Sequence, residues 1–173
     1  MTKNHFTLFG LSPAFNIDVA TLEKNYRVLQ SASHPDRFVS ATPAEKLQSM
    51  QLSTLANEAY QVLKKPSSRA KYILAQQGID ATQETNTSMP VEFLMQQMEW
   101  REALDDFKTE KNIASLENLE TEMQQEAQSL TNELTTLIDD KNDLVAATET
   151  TRKLIFIDKV CIDINKAIEL LEN

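Results

Sequence analysis

The segment SHPDRF, residues 33–38, places His34, Pro35 and Asp36 in direct succession. An imidazole beside a carboxylate could belong to a nucleophilic triad or to a metal site. Neither is favoured, because the chain has only one other histidine, His5, and no third ligand stands at a recognisable metal spacing. Nothing marks a serine or the single cysteine as an activated nucleophile. The simplest alternative is a loop in which the proline stops a helix and the aspartate makes a turn.

Two predicted helices hold this segment between them. The first runs through IDVATLEKNYRVLQSAS, with Asp18 as a possible N-cap. It must end before Pro35, because proline disfavours helical geometry in the residue that precedes it. The second begins at TPAEKLQSM, where Thr42, Pro43 and Glu45 form a capping-box pattern. The segment is therefore expected as a loop between two helices.

A short helix in NHFTLFGLSP, stopped by Gly10 and Pro13, precedes this pair, and a fourth helix in SSRAKYILAQQG, ended by Gly78, follows it. The apolar faces of the pair are expected to form the core of the N-terminal half. These faces hold Leu22, Tyr26 and Leu29 on the first helix, and Leu52, Leu55, Ala56, Ala59, Val62 and Leu63 on the second.

The stretch IDATQETNTSM, residues 79–89, is polar and lacks periodicity, so we predict that it links two domains, residues 1–78 and residues 90–173. Pro90 opens the first of three longer helices. The other two carry apolar stripes at spacings of three and four residues, which predict an antiparallel three-helix bundle. The stripes are Leu116, Leu119, Met123, Ala127, Leu130, Leu134 and Leu137, and then Leu154, Ile157, Cys161, Ile164, Ile168 and Leu171. The predicted fold class is all-α.

Composition narrows the class of protein further. Two glycines argue against a β-rich chain and against a glycine-rich phosphate loop, and a single cysteine leaves no internal disulfide. No apolar run approaches a membrane span, and the first residues do not form a secretory signal, so we expect a cytoplasmic protein. Residues 1–89 hold nine Lys/Arg against seven Asp/Glu, whereas residues 90–173 hold eight against nineteen. The acidic second half disfavours nucleic acid as the main partner, and the asymmetry suggests two modules with different partners.

The helix PVEFLMQQMEWREALDDF carries more apolar residues than one stripe needs. One face suits the bundle core and holds Phe93, Trp100, Leu104 and Phe107. The other face holds Val91, Leu94, Met95 and Met98, bordered by Glu99, Glu102, Asp105 and Asp106. This second face suits a protein-docking surface, although it could instead pack on the N-terminal domain or on another bundle helix. Phe156 on the last helix points away from the core stripe and could join either the docking surface or the core.

Four helices around an HPD loop resemble the J domain, the activator module of DnaK-type ATPase chaperones. The resemblance covers residues 6–76 and rests on FTLFGLSPAFNID, LEKNYRVLQSASHPDRF and LANEAYQVLKKPSSRAKYIL. It implies that Asp36 offers a carboxylate to an arginine of the chaperone, while His34 holds the loop or donates a hydrogen bond. The implied chaperone contacts are His34, Pro35, Asp36, Arg37, Lys24 and Arg27. J domains often carry an aromatic residue just before the tripeptide, where this chain reads QSAS.

As a whole, the chain resembles the J-type co-chaperone family of iron–sulfur cluster assembly, known as HscB in bacteria. The resemblance covers essentially all 173 residues and includes EFLMQQMEWREALDD and TTRKLIFIDKV. It implies that the bundle binds an IscU-type scaffold protein and that the J domain delivers this scaffold to an HscA-type chaperone. The implied scaffold contacts are Leu94, Met95, Met98, Glu99, Glu102, Asp106 and Phe156. No cysteine-rich metal module precedes Phe6, which favours the bacterial form of the family.

We therefore predict a co-chaperone that is not an enzyme, needs no cofactor or metal, and binds neither nucleic acid nor a membrane. The HPD loop is expected to promote ATP hydrolysis by the chaperone while the bundle holds the client. Two other classes stay open. A J protein with other cargo would bind unfolded chains, and a helical adaptor would carry the tripeptide by accident. An enzyme is the least supported class, because no paired catalytic groups are visible.

Overall fold

The computed structural model describes residues 4–83 and 89–173. Within these ranges the chain forms seven α-helices and no strand, which confirms the all-α class. The helices are α1 His5–Leu8, α2 Val19–Ala32, α3 Pro43–Lys64, α4 Pro66–Gln76, α5 Val91–Thr109, α6 Ile113–Leu134 and α7 Leu144–Glu172. A 3-10 turn, Pro35–Phe38, stands between α2 and α3, and a π-helical segment, Thr135–Asp140, continues α6. None of the described helices has the length and apolar character that crossing a membrane requires.

Two compact units divide the chain between Tyr72 and Ile73, inside α4. The domain boundaries predicted from the sequence place the linker later, at residues 79–89, and these boundaries remain a prediction. Residues 84–88 of that linker lie outside the described residues. Its preceding part, around Ala81, is held on α7, because Arg152 donates from Nε to the Ala81 carbonyl at 2.6 Å.

In the first unit, α2 and α3 form an antiparallel hairpin. The rings of Tyr26 and Tyr60 stack with centroids 4.1 Å apart. The Tyr26 hydroxyl and the Gln30 amide both donate to Asn57 Oδ1, the second over 2.6 Å. These contacts join the middle of α2 to the middle of α3, so the hairpin holds the segment between the two helices at one end.

Leu22, Ala56, Ala59 and Leu63 are fully buried in this unit, as predicted. The expectation for Leu55 was wrong, because its side chain is 44% exposed. At 100° per residue, Leu55 lies roughly 70° around α3 from the centre of the buried row. Leu55 was assigned to the apolar face of α3 because leucine is apolar, although its position lies away from the buried row.

The predicted helix signals are present as hydrogen bonds. Asp18 Oδ1 accepts from the Ala20 N–H at 3.0 Å at the start of α2. Thr42 Oγ1 accepts from the Glu45 N–H at 3.2 Å, and Glu45 Oε2 accepts from the Thr42 N–H at 3.0 Å, which completes the capping box of α3. A cap of this kind contributes about 1 kcal/mol to helix stability. It fixes the start of α3 at Pro43, shortly after the SHPDRF segment.

In the second unit, α5, α6 and α7 form the predicted three-helix bundle. Most of the predicted stripe residues are buried, together with Phe93, Trp100 and Leu104 of α5. Cys161 was expected in the core stripe but is only half-buried, and its neighbour Val160 is fully buried instead. The buried face rotates about the axis of α7 along its length, because the 3.6-residue helical period does not match a fixed spacing.

Candidate functional site

The HPD loop, defined as His34, Pro35 and Asp36, is organised by its own side chains. His34 is extended, with φ −63° and ψ 136°, and Pro35 occupies the first position of the 3-10 turn. His34 Nδ1 accepts a hydrogen bond from the Asp36 N–H at 3.2 Å, so His34 holds the loop. The Asp36 side chain remains 89% exposed. The loop therefore offers a carboxylate to solvent from a backbone that is already fixed.

The residues before the loop end α2 cleanly. Ser33 is buried, and its hydroxyl donates to the Leu29 carbonyl at 2.9 Å. The Ser33 N–H donates to the same carbonyl at 3.1 Å. The QSAS segment thus forms the last turn of α2 and its C-cap.

Five of the six predicted chaperone contacts line one shallow groove of about 530 Å³. They are Arg27, His34, Pro35, Asp36 and Arg37, and Gln30, Ser31 and Ser53 complete the lining. Lys24 is exposed on α2 but does not line the groove. Arg27 meets Glu23 only at 4.0 Å across open surface, and such pairs are worth little. The guanidinium of Arg27 therefore loses little if it turns to a partner.

The apolar α5 face, defined as Val91, Leu94, Met95 and Met98, is exposed. The exposed fractions are 44% for Leu94, 59% for Met95 and 72% for Met98. The acidic border beside it, defined as Glu99, Glu102, Asp105 and Asp106, is exposed too. Large apolar side chains grouped on one helix face are unusual on a protein surface unless a partner covers them.

Phe156 belongs to an aromatic cluster between α5 and α7. Its ring centroid is 6.0 Å from that of Phe93 and 6.4 Å from that of Trp100. The ring is half-buried, so it packs on the core while part of it stays accessible. The two alternatives that the sequence left open for Phe156, docking and core packing, are thus compatible.

Two residues that the sequence did not single out form an ion pair next to Phe156, and one of them contacts its ring. Arg101 Nη1 donates to Asp163 Oδ2 over 2.7 Å, and Arg101 Cζ lies 5.4 Å from the Phe156 ring centroid. The hydrogen bond from Arg101 lowers the pKa of Asp163 below its ordinary value. Arg101 and Asp163 are 62 positions apart in the chain, so spacing could not join them. The available signal was one basic residue within the acidic stretch EWREALDD.

A second groove, of about 350 Å³, runs between α5 and α6 beside the acidic border. Its lining includes Glu99, Trp100 and Glu122, and the Trp100 indole N–H donates to Glu122 Oε1 at 3.1 Å. In the parts of the chain that the structure describes, no group of three or more His, Cys, Asp or Glu residues could hold a metal ion.

Comparison with known proteins gives matches along the whole chain. A family model described as the HSCB C-terminal oligomerisation domain matches residues 89–165. A curated relative named "Co-chaperone protein HscB homolog", from Azoarcus sp. strain BH72, is 43% identical over 173 residues, covering 100% of this chain and 98% of the relative. A relative of the same name from Burkholderia thailandensis is 44% identical over 173 residues, with the same coverage of 100% and 98%.

Solved structures are similar over nearly the same length. The chaperone HscB from Vibrio cholerae superposes with a TM-score of 0.83 at 32% identity, covering 98% of this chain and 99% of that one. The human co-chaperone protein HscB gives a TM-score of 0.86 at 29% identity, covering 95% of this chain and 82% of that one. The similarity therefore includes both units.

Proposed function

We propose that this chain, which belongs to the HscB family of co-chaperones, binds an IscU-type iron–sulfur cluster scaffold and delivers it to an HscA-type chaperone ATPase in the cytoplasm. In this proposal residues 1–78 are the J domain, residues 79–89 the linker and residues 90–173 the scaffold-binding bundle. The observation that carries it is that one chain pairs a rigid HPD loop with an exposed apolar helix face. The chaperone carries out the ATP hydrolysis, and the scaffold carries the cluster.

The HPD loop is suited to trigger an ATPase. Pro35 and the His34–Asp36 hydrogen bond fix the loop before it binds, so docking costs little further conformational entropy. The exposed Asp36 carboxylate can accept charge-assisted hydrogen bonds from an arginine of the chaperone. Arg27, Arg37 and Lys24 add positive charge around it, which favours an acidic patch on the chaperone.

The apolar α5 face is suited to hold a folded scaffold. Unbranched Met95 and Met98 can adapt to the shape of a partner, and burial of such side chains favours association. The acidic border beside the face, together with the surplus of carboxylates in residues 90–173, favours a basic surface on the scaffold. Glu99, Glu102 and Asp106 then set the orientation of the scaffold more than its affinity.

Because the HPD loop and the apolar α5 face belong to one chain, the protein can deliver the scaffold to the chaperone. A scaffold bound to the bundle is kept near the chaperone that the HPD loop engages, which raises its effective concentration there. Hydrolysis of ATP then coincides with the arrival of the client. This coincidence is what a J domain alone could not provide.

Steady-state ATP hydrolysis by the HscA-type chaperone tests the first half of the proposal. Asp36→Asn removes the exposed charge without a change of size, and we expect it to abolish the stimulation that the natural protein gives. Glu58→Gln, at an exposed position of α3, is the matched loss of one carboxylate and should stimulate normally. Equal stimulation by the natural chain and by Asp36→Asn would contradict the proposed role of the HPD loop.

A further inference from the structure

We propose that Arg101 and Asp163 hold the Phe156 ring in position for scaffold binding, so that Phe156 is presented as a pre-ordered anchor. This inference rests on the proposed function and names a device within its scaffold-binding surface. Arg101 and Asp163 are positioning residues in this account, and Phe156 is the residue that meets the scaffold.

The ion pair links α5 to α7 across the edge of the aromatic cluster. Arg101 Nη1 lies 2.7 Å from Asp163 Oδ2, while its Cζ lies 5.4 Å from the Phe156 centroid. The planar guanidinium therefore serves two contacts at once, a charge-assisted hydrogen bond and a contact with an aromatic face. Lysine has no planar fork and cannot reproduce both contacts equally well.

The Phe156 ring is restrained from its other sides as well. The Trp100 ring lies nearly parallel to it, at 22°, and the Phe93 ring meets it edge-on, at 82°. Arg101 adds a further contact to this half-buried ring from α5. A half-buried aromatic side chain fixed in this way has little rotamer freedom left to lose when a partner binds.

Arg101 also lies beside the apolar α5 face. It follows Leu94 by two helical turns and Met98 by three residues, which places these side chains on neighbouring rows of α5. A free arginine at this place would repel a basic scaffold. Asp163 neutralises that charge, so the same pair that holds Phe156 keeps the surface acidic overall.

The ion pair between Arg101 and Asp163 contributes too little to folding for stability to be its main role. The side chains of Arg101 and Asp163 are 37% and 35% exposed, and ion pairs of this exposure contribute little to folding. A nearby pair offers a matched control, because Lys153 Nζ lies 5.5 Å from the Phe93 centroid and 3.5 Å from Glu149 Oε1. Phe93 is buried, so Lys153 contacts a core ring and not the accessible ring of Phe156.

Calorimetric titration with an IscU-type scaffold tests the inference in the full-length protein. Arg101→Met and Asp163→Asn should each weaken the affinity about fivefold, consistent with a contact worth about 1 kcal/mol. Arg101→Lys should recover part of the loss. Lys153→Met should leave the affinity unchanged. In a Phe156→Leu background, Arg101→Met should no longer weaken the affinity, because the residue it positions is gone.

Three results would overturn the inference: no loss with Arg101→Met, an equal loss with Lys153→Met, or an unchanged effect in the Phe156→Leu background. A second measurement needs no scaffold. Nuclear Overhauser contacts between the Phe156 and Trp100 rings should weaken in Arg101→Met, and unchanged contacts would also overturn it. If the natural protein fails to bind the scaffold, the proposed function fails, while the ring contacts still decide whether Arg101 positions Phe156.

Discussion

Asp163 shows how one contact sets the chemistry of a single residue. The hydrogen bond from Arg101 lowers the pKa of this carboxyl in the folded protein below its ordinary value of 3.8. A lowered folded pKa means that the ionised form stabilises the fold above about pH 4 and that this contribution is lost as the pH falls through the folded pKa. The pair is about one third exposed, so we expect only ~0.5 kcal/mol from it.

Asp163→Asn should therefore reduce the free energy of unfolding by this small amount at pH 7. The difference from the natural protein should shrink toward zero as the pH is lowered below 4. Urea unfolding followed by circular dichroism at pH 7, 5 and 3 measures it. A difference that stays constant with pH would show that the ionised carboxylate is not what stabilises this contact.

Some contacts between residues could be predicted from the sequence, and others could not. His34 and Asp36 are two positions apart, so the chain itself brings them together, and their role in binding a chaperone remains a prediction. Arg101 and Phe156 meet only because α5 packs on α7. No local pattern encodes that contact, since periodicity gives the face of a helix and not its partner across the bundle.

At the scale of the helices, Arg69 holds several elements of the first unit together. It stands on α4, is only 5% exposed, and donates to the Phe15 carbonyl at 2.6 Å and to the Leu63 carbonyl at 2.7 Å. Its guanidinium also lies 4.8 Å from the Phe15 ring centroid. Arg69 thus ties α4 to the end of α3 and to the loop that precedes α2.

Arg69→Met should destabilise the first unit by about 3 kcal/mol, because two buried carbonyl groups lose charged donors. Arg37→Met, at an exposed position, should change the stability by less than about 0.5 kcal/mol. Urea unfolding of both variants gives the comparison. A loss in Arg69→Met no larger than that in Arg37→Met would show that water replaces the arginine without cost.

The apolar α5 face makes a prediction about scaffold binding. Met98→Lys introduces a charge at a position that is 72% exposed, so the fold should tolerate it while the face can no longer bury its centre. We expect the affinity for an IscU-type scaffold to fall at least about tenfold, as for a central interface residue. Titration calorimetry with the folded scaffold measures this loss.

Leu170→Lys is the control for that experiment, because Leu170 is equally apolar, 77% exposed and lies on α7. It should bind the scaffold normally. Equal losses in both variants would indicate a general effect of charge. Equal binding of an unfolded polypeptide and the folded scaffold by the natural protein would favour the other class, a J protein with unfolded cargo.

Helix boundaries were largely predictable because they are local. The Asp18 cap, the capping box at Thr42 and the stop at Gly78 depend on residues within a few positions of each other, and Gly78 adopts the expected positive φ of 78°. The π-helical segment Thr135–Asp140 was not predicted. The apolar stripe through Leu134 and Leu137 fits an α-helix as well, so nothing in the spacing marked the change.

At the scale of the molecule, the charge asymmetry and the all-α class followed directly from the sequence. The domain boundaries, with a linker at residues 79–89, remain a prediction, because the chain divides into two compact units between Tyr72 and Ile73, inside α4, whereas the composition changes only after that helix. The sequence marks where the chain becomes polar. The structure shows where the contacts of one unit end and those of the other begin.

The most direct test asks whether the HPD loop, which triggers ATP hydrolysis, and the scaffold-binding surface must belong to the same molecule. Asp36→Asn retains the scaffold surface without the trigger, and Met98→Lys retains the trigger without the scaffold surface. ATP hydrolysis by the HscA-type chaperone is measured at limiting scaffold with the natural protein, with each variant, and with an equal mixture of the two. We expect scaffold to amplify stimulation by the natural protein, and we expect the mixture not to restore this amplification. Full restoration by the mixture would contradict delivery by a single linked chain.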